Sequence, residues 1–254
     1  MFLEKRWSTL SLAQWAMLVL LSMAGGVLLS GIITHLAGDG LNPAQRILVM
    51  VVCSMVGFQG AAVVWTHVLL SQNETTWWET FGLSRAKLPH CAVTALFALP
   101  LLLGGVFLLG KVSELGLNEL HEWLHWSWLK PAVQPAVQLL MGSQSVALTV
   151  VQGLVAMVIA PVGEEIMFRG VLYTAIRQRG SRMLATGTTA VLFASIHFYP
   201  VGFLPLMFLS IVQVALYERT QSLLAPICLH SLFNTTNFIL IVVHPKWAEE
   251  LIKP

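Results

Sequence analysis

The chain has 254 residues, of which 56% are hydrophobic and only 10% are charged, and its formal net charge is +2. Soluble domains carry about 25% charged residues, so this composition excludes a water-exposed globular domain and indicates a polytopic membrane protein. The Lys and Arg residues form no basic run, which argues against a nucleic-acid partner.

Seven apolar stretches predict membrane helices, since about 20 apolar residues span a bilayer. They cover residues 12–33, 47–70, 92–109, 146–176, 185–197, 203–216 and 223–243. The fourth stretch is long enough to tilt or kink at Pro161 and Gly163, and residues 131–145 have room for an eighth helix. Nothing in the composition divides the chain, so we predict one all-α domain, a bundle of seven to eight transmembrane helices.

Two polar stretches between these spans have the composition of membrane-interface segments. Residues 71–89 contain Trp77 and Trp78, and Trp gathers at the level of the lipid headgroups. Residues 111–130 carry leucines at helical spacing opposite Glu119 and Glu122, which predicts an amphipathic helix lying on the membrane surface.

The distribution of positive charge predicts the orientation in the cell membrane. A cytoplasmic amino terminus places eight Lys and Arg residues on the cytoplasmic side and five on the other, and cytoplasmic loops favour such an excess. The eight are Lys5, Arg6, Arg85, Lys87, Arg177, Arg179, Arg182 and Arg219, and the five are Arg46, Lys111, Lys130, Lys246 and Lys253.

Three charges in the fourth span interrupt an otherwise apolar stretch, within the sequence PVGEEIMFRG. Each charge at mid-bilayer costs about 2.5 to 3.5 kcal/mol, so an ionisable group in such a span indicates a functional site unless it is paired. Glu165 and Arg169 are four residues apart and therefore neighbours on one helical face. We predict that they form a structural ion pair, which leaves Glu164 free for chemistry.

A second candidate site lies in the predicted surface segment. His121, Glu122 and His125 match H-E-x-x-H, in which two zinc-binding histidines flank a general-base glutamate. The segment is rich in Trp and no third ligand is apparent nearby, so an amphipathic helix is the favoured interpretation and a zinc metalloprotease site the alternative.

Two later spans each carry a spaced pair that includes a histidine, Phe193 with His197 and His230 with Asn234. Members of each pair are four residues apart and are predicted to share a helical face. A carboxylate, two imidazoles and a carboxamide could hydrolyse a peptide, with Glu as the base and His and Asn as oxyanion donors. One Glu and two His could instead ligate a catalytic zinc ion, with Glu164, His197 and His230 as the candidates.

The sequences EEIMFR, FASIH and HSLFN, in this order, resemble the three motifs of the CPBP family, E-E-x-x-x-R, F-x-x-x-H and H-x-x-x-N. That family comprises the type II CAAX prenyl proteases and bacteriocin-processing or self-immunity proteins. The resemblance covers about residues 146–243 and implies a four-helix catalytic core there, preceded by N-terminal helices and an interfacial loop in residues 1–145. The sequence FGLSRAKL before the third span is weakly similar to a further family feature.

The resemblance also implies a role for each motif residue. Glu164 and His197 would activate the attacking water, His230 and Asn234 would form the oxyanion hole, and Glu165 and Arg169 would brace the helix. Family members are described both as metalloproteases and as metal-free glutamate proteases, so the implied cofactor is either none or one divalent metal such as zinc.

The sequence therefore predicts an intramembrane endopeptidase whose substrate is a membrane-associated peptide or protein. A non-catalytic scaffold or immunity protein with the same fold is the main alternative. A transporter with a proton relay would be expected to have paired repeats or broken helices in corresponding halves, and the chain has neither.

Overall fold

The computed structural model describes residues 7–126, 135–142 and 145–243. These residues form helices and turns, with no strand among them, as the prediction of an all-α membrane bundle requires. The first helix, α1 (Thr9–Ala37), is followed by a long second helix made of α2 (Pro43–Met55), a π-helical turn (Val56–Gly60) and α3 (Ala61–Gln72).

The remaining helices cover the other predicted spans and two short segments between them. They are α4 (Trp77–Phe81), α5 (Leu88–Leu124), α6 (Pro135–Met141), α7 (Val146–Leu154), α8 (Ala160–Glu165), α9 (Thr174–Arg177), α10 (Arg182–Ser195), α11 (Phe203–Thr220) and α12 (Leu224–Val243). Five helical stretches are long and apolar enough to cross a membrane, and the fifth and sixth predicted spans, α10 and α11, are not among the five. The short α6 lies within residues 131–145, where an eighth helix was predicted.

The prediction of a separate surface helix at residues 111–130 is wrong for residues 111–124. The helix α5 runs for 37 residues without a break at residue 109, so 111–124 continue the third span. At 1.5 Å per residue α5 is about 55 Å long and extends well beyond a hydrocarbon core of about 30 Å. Trp128 and Lys130 lie outside the described residues.

The fourth span contains two π-helical turns, one on each side of Pro161 and Gly163. One turn (Val155–Ile159) joins α7 to α8, and a second (Ile166–Tyr173) joins α8 to α9. Proline has no N–H, so Pro161 cannot make the next hydrogen bond of the first π turn. Gly163 has a different role, because a Cβ there would lie 3.0 Å from the Cα of Gln59. It allows α8 to approach the second helix closely.

The segment that connects α4 to α5 holds the turn between α11 and α12. The Leu223 N–H donates to the Phe81 carbonyl at 2.9 Å, and the Ser222 hydroxyl donates to the Gly82 carbonyl at 2.8 Å. The Lys87 ammonium donates to the Gln221 carbonyl at 2.9 Å. The sequence FGLSRAKL thus fixes the start of α12, which carries His230 and Asn234.

Several of the charges predicted for one membrane side do lie at one end of the bundle. Arg182 and Arg177 are 2.5 and 3.6 Å from Glu218, and the Arg179 guanidinium donates to the Trp7 carbonyl. Lys87 joins this end through the α11–α12 turn. The positions Lys5, Arg6, Lys130, Lys246 and Lys253, also used to predict the orientation, lie outside the described residues.

Close packing of α5 on α11 gives a test of the fold. A Cβ at Gly105 would lie 2.2 Å from the Phe208 ring, whereas a Cβ at Gly104 would meet nothing within 4 Å. We expect Gly105→Ala to lower the free energy of unfolding by about 1 to 3 kcal/mol, because the ring must move out of its packed position. Gly104→Ala should be neutral or stabilising, since alanine favours helix. Thermal unfolding in detergent measures both, and equal effects would contradict this packing.

Candidate active site

The predicted ion pair between Glu165 and Arg169 is confirmed by the structure. The Arg169 guanidinium lies 3.0 Å from the Glu165 carboxylate, and both side chains are fully buried. The Arg169 Cζ atom also lies 4.6 Å from the centroid of the Phe193 ring, within the range of a cation–π contact. The two charges are therefore paired inside the bundle and not exposed to lipid.

One oxygen of Glu165 is the centre of a buried polar network. Its Oε1 atom accepts from Arg169, from Gln213 Nε2 at 2.8 Å and from His230 Nδ1 at 2.8 Å. Gln213 Oε1 in turn accepts from the Arg169 guanidinium at 2.5 Å. Three separate helical stretches meet here, since Glu165 ends α8, Gln213 lies on α11 and His230 on α12.

The contact with Glu165 defines the state of the His230 ring. A ring nitrogen that faces a carboxylate oxygen must carry the hydrogen, so Nδ1 is the donor. The other nitrogen, Nε2, lies 3.9 Å from Oε2 of Glu164. Nε2 is therefore the nitrogen of His230 that Glu165 does not engage, and it faces the second glutamate.

Glu164 differs from Glu165 in both exposure and partners. Its side chain is 13% exposed, against 0% for Glu165. Within the described ranges, no donor lies at hydrogen-bonding distance from its carboxylate, and its nearest ionisable partner is His230. Glu164 is thus the accessible carboxylate of the pair, although its chemical role stays a prediction.

His197 is not on the helical face that its spacing predicted. The helix α10 ends at Ser195, and His197 lies in the following turn. It nevertheless stays against Phe193, with Nδ1 at 2.7 Å from the Phe193 carbonyl and the two rings 4.9 Å apart. A carbonyl only accepts, so Nδ1 carries the hydrogen and Nε2 is free. His197 does not reach ion-pairing distance of Glu164.

The Phe193 ring connects the members of the site. Its centroid lies 6.1 Å from that of His230 and 5.1 Å from that of Phe168, both in edge-to-face geometry. Phe193 belongs to the second motif, as does His197. Its contacts with Arg169 of the first motif and His230 of the third therefore join the three motifs.

Asn234, predicted as an oxyanion donor, makes a hydrogen bond to the first π turn. Its Nδ2 atom donates to the Ala156 carbonyl at 2.8 Å. In that turn the Ala160 N–H bonds to the Val155 carbonyl, five residues back, so Ala156 would pair with position 161. Because Pro161 has no N–H, Asn234 satisfies a carbonyl that the helix leaves unpaired. The second N–H of the Asn234 carboxamide takes no part in this hydrogen bond.

The candidate metal ligands do not gather into a site. No group of three or more His, Cys, Asp or Glu side chains suited to a metal ion occurs in the described part of the chain. Glu164, His197 and His230 therefore do not fit a three-ligand zinc centre.

The H-E-x-x-H alternative is also inconsistent with the structure. Helix α5 ends at Leu124, and His125 adopts a left-handed backbone with φ of 55°. His121 Nδ1 lies 2.9 Å from the Trp126 carbonyl. The two histidines are thus not on one continuous helical face, which the zinc motif requires.

Sequence reasoning missed Gln213 and gave Phe193 no role. Gln213 is a single amide in the apolar sequence of α11 and belongs to none of the three motifs. A buried polar side chain in a membrane span normally has a partner, and that signal would have identified it. The packing role of Phe193 depends on tertiary contacts and has no signal in spacing alone.

The buried ion pair gives a test of how the site is held. Arg169→Met leaves Glu165 as a buried charge without its counterion, so we expect the free energy of unfolding to fall by about 3 to 5 kcal/mol. The control is Lys111→Met, which removes the half-exposed ion pair with Glu114 and should cost less than about 1 kcal/mol. Unfolding in detergent measures both, and a similar small loss in each variant would refute the paired state of Glu165.

Comparison with known proteins identifies the family of this segment. The family model described as type II CAAX prenyl endopeptidase Rce1-like matches residues 146–236, which hold all three motifs. No curated protein and no solved structure gives a significant match to the chain. The segment that contains the candidate site therefore matches the Rce1-like family model, and the family resemblance predicted from the three motifs is confirmed.

Proposed function

We propose that the protein is an intramembrane endopeptidase that hydrolyses a peptide bond with a water molecule activated by Glu164. The observation that carries this proposal is the arrangement of two adjacent glutamates around His230. Glu165 is paired and buried, whereas Glu164 is accessible and lies 3.9 Å from His230 Nε2. A polar separation of this length suits one bridging water, which is the nucleophile that the reaction requires.

The proposed step uses Glu164 as general base and then as general acid. The water oxygen attacks the carbonyl carbon of the scissile peptide, and the water proton passes to the Glu164 carboxylate. When the carbon–nitrogen bond breaks, the same proton passes to the leaving amine. One carboxylic acid and one amine result, and no external co-reactant is needed.

The oxyanion that forms in this step needs donors close to Glu164. His230 in its imidazolium form presents Nε2–H toward Glu164, and the contact of Nδ1 with Glu165 holds the ring in that direction. The remaining N–H of Asn234 is the second donor that the family resemblance implies. His197 is proposed to assist water activation through its free Nε2. No step is routed through a metal, because the candidate ligands do not fit one.

The proposed substrate is a membrane-associated peptide or the tail of a membrane-bound protein. Glu164 and His230 lie on two of the helical stretches that are long and apolar enough to cross a bilayer, which favours a substrate that reaches the site from the membrane. The description of the family names CAAX prenyl endopeptidases, and a prenylated C-terminal peptide is therefore the first candidate. The bilayer itself is the other proposed partner.

Cleavage by the purified, reconstituted protein tests the proposal. A panel of prenylated and unprenylated membrane peptides is incubated with the parent, Glu164→Gln and Glu122→Gln. We expect Glu164→Gln to lose about 10²- to 10⁴-fold in activity, because it removes the base. Glu122 is exposed near the end of α5, so its variant should match the parent.

Other outcomes would redirect the assignment. Loss of cleavage only in Glu122→Gln would favour the zinc alternative at His121 and His125. Reproducible lack of cleavage by the parent would favour the scaffold or immunity protein.

The proposed orientation, a multi-pass protein of the cell membrane with a cytoplasmic amino terminus, has its own test. Arg219 and Asp39 are both exposed and lie toward opposite ends of the bundle. In a variant without the three native cysteines, Arg219→Cys should react with a membrane-impermeant thiol reagent only after cell lysis, whereas Asp39→Cys should react in intact cells. The reverse pattern would invert the topology.

A further inference from the structure

Gln213 has properties that the three motifs do not account for. It lies on α11, its side chain is fully buried, and both ends of its amide are bonded to charged groups of the site. The surrounding helix sequence is apolar, with Val212 and Val214 on either side. A polar side chain at such a position costs free energy unless its partners compensate for it.

Only one orientation of this amide satisfies its neighbours. The Arg169 guanidinium has donors only, so the Gln213 oxygen must face it, and the carboxylate of Glu165 accepts only, so the Gln213 nitrogen must face that side. In a flipped amide, the Gln213 nitrogen would face the Arg169 donors and the Gln213 oxygen would face the Glu165 carboxylate. Gln213 therefore connects the two members of the ion pair in a defined direction.

All donors to Glu165 converge on a single oxygen. Oε1 accepts three hydrogen bonds, whereas Oε2 is buried without a hydrogen-bond partner among the described residues. Rotation of the carboxylate would carry Oε1 away from His230. Arg169 is four residues away on the same helical stretch, so Gln213 is the one described residue besides His230 itself that holds Oε1 from a different helix.

We propose that Gln213 is a positioning residue, which holds the Glu165 carboxylate against His230 Nδ1 and thereby keeps His230 Nε2 directed at Glu164. This inference rests on the proposed function for its catalytic consequence. It adds α11 to the elements that build the site, although α11 carries none of the three motifs.

Kinetics of a volume-conserving variant test the proposal. Gln213→Met keeps the approximate volume and removes both hydrogen bonds, so we expect kcat to fall by about 10- to 100-fold, as for other residues that orient a functional histidine. KM should stay within about twofold, because the Gln213 side chain is fully buried and presents no surface to a substrate. The control is Ser210→Ala on the same helix, also fully buried, whose hydroxyl has no hydrogen-bond partner in the described part of the chain.

The measurement must separate positioning from stability. Rates are normalised to the folded fraction of each variant. If Gln213 had a purely structural role, this normalisation would remove the whole loss of activity. Parental kcat in Gln213→Met after this normalisation would overturn the proposal, and so would an equal loss in Ser210→Ala.

A spectroscopic measurement keeps the inference testable if the parent does not cleave any peptide. In protein labelled with ¹⁵N-histidine, the His230 signals are assigned by their absence in His230→Gln. We expect the Nδ1–H signal of His230 to shift or to exchange faster with water in Gln213→Met but not in Ser210→Ala. Unchanged His230 signals would overturn the positioning role, whereas an inactive parent with shifted signals would overturn only the proposed function.

Discussion

The structure of the site depends on the cost of burying charge in an apolar bundle. Glu165 and Arg169 have no exposed side-chain surface, so each would be strongly destabilising alone. Their pairing reduces that cost, and Gln213 and His230 complete the set of donors and acceptors around one carboxylate oxygen. Because these partners come from α8, α11 and α12 and the π turn after α8, the electrostatic requirement also determines how these helices pack. The same four side chains, Glu165, Arg169, Gln213 and His230, thus both compensate for the buried charge and set the geometry of the site.

The π-helical turns show how the fourth span adapts to this requirement. A π turn adds a residue to a helix and re-aims the side chains that follow it, and such turns are frequent at functional sites. Here one turn precedes the two glutamates and another contains Arg169. The first leaves the Ala156 carbonyl without its helical partner because of Pro161, and Asn234 supplies the missing donor. The third motif therefore supports the backbone of the helical stretch that carries the first motif, in addition to its role in the proposed chemistry.

Much of the fold could be predicted from the sequence, and the failures have physical causes. Each of the seven predicted apolar spans coincides with helical residues, although α10 and α11 are not among the stretches long and apolar enough to cross a membrane. The spacing of Glu165 and Arg169 predicted the ion pair. Spacing could not show that α10 ends at Ser195, so His197 was placed on a helix that stops before it. The break predicted between the third span and residues 111–124 failed because polar side chains there do not interrupt the backbone hydrogen bonds of α5. Gln213 was missed because its partners are 44 and 48 residues away.

The two glutamate–histidine patterns of the chain show why a motif needs its tertiary context. The contiguous pattern His121–Glu122–His125 is the more specific by spacing, yet it lies where α5 ends, and its two histidines do not share a helix. The separated pattern is weak in each part, since each of the three motifs fixes only two or three residues. Its parts converge, however, because Glu165 bonds His230 and Phe193 contacts both histidines. Convergence across helices buries polar groups that need hydrogen-bond partners from other helices, and that requirement makes a chance arrangement of this kind rare. The separated residues are for this reason the stronger basis for a functional assignment.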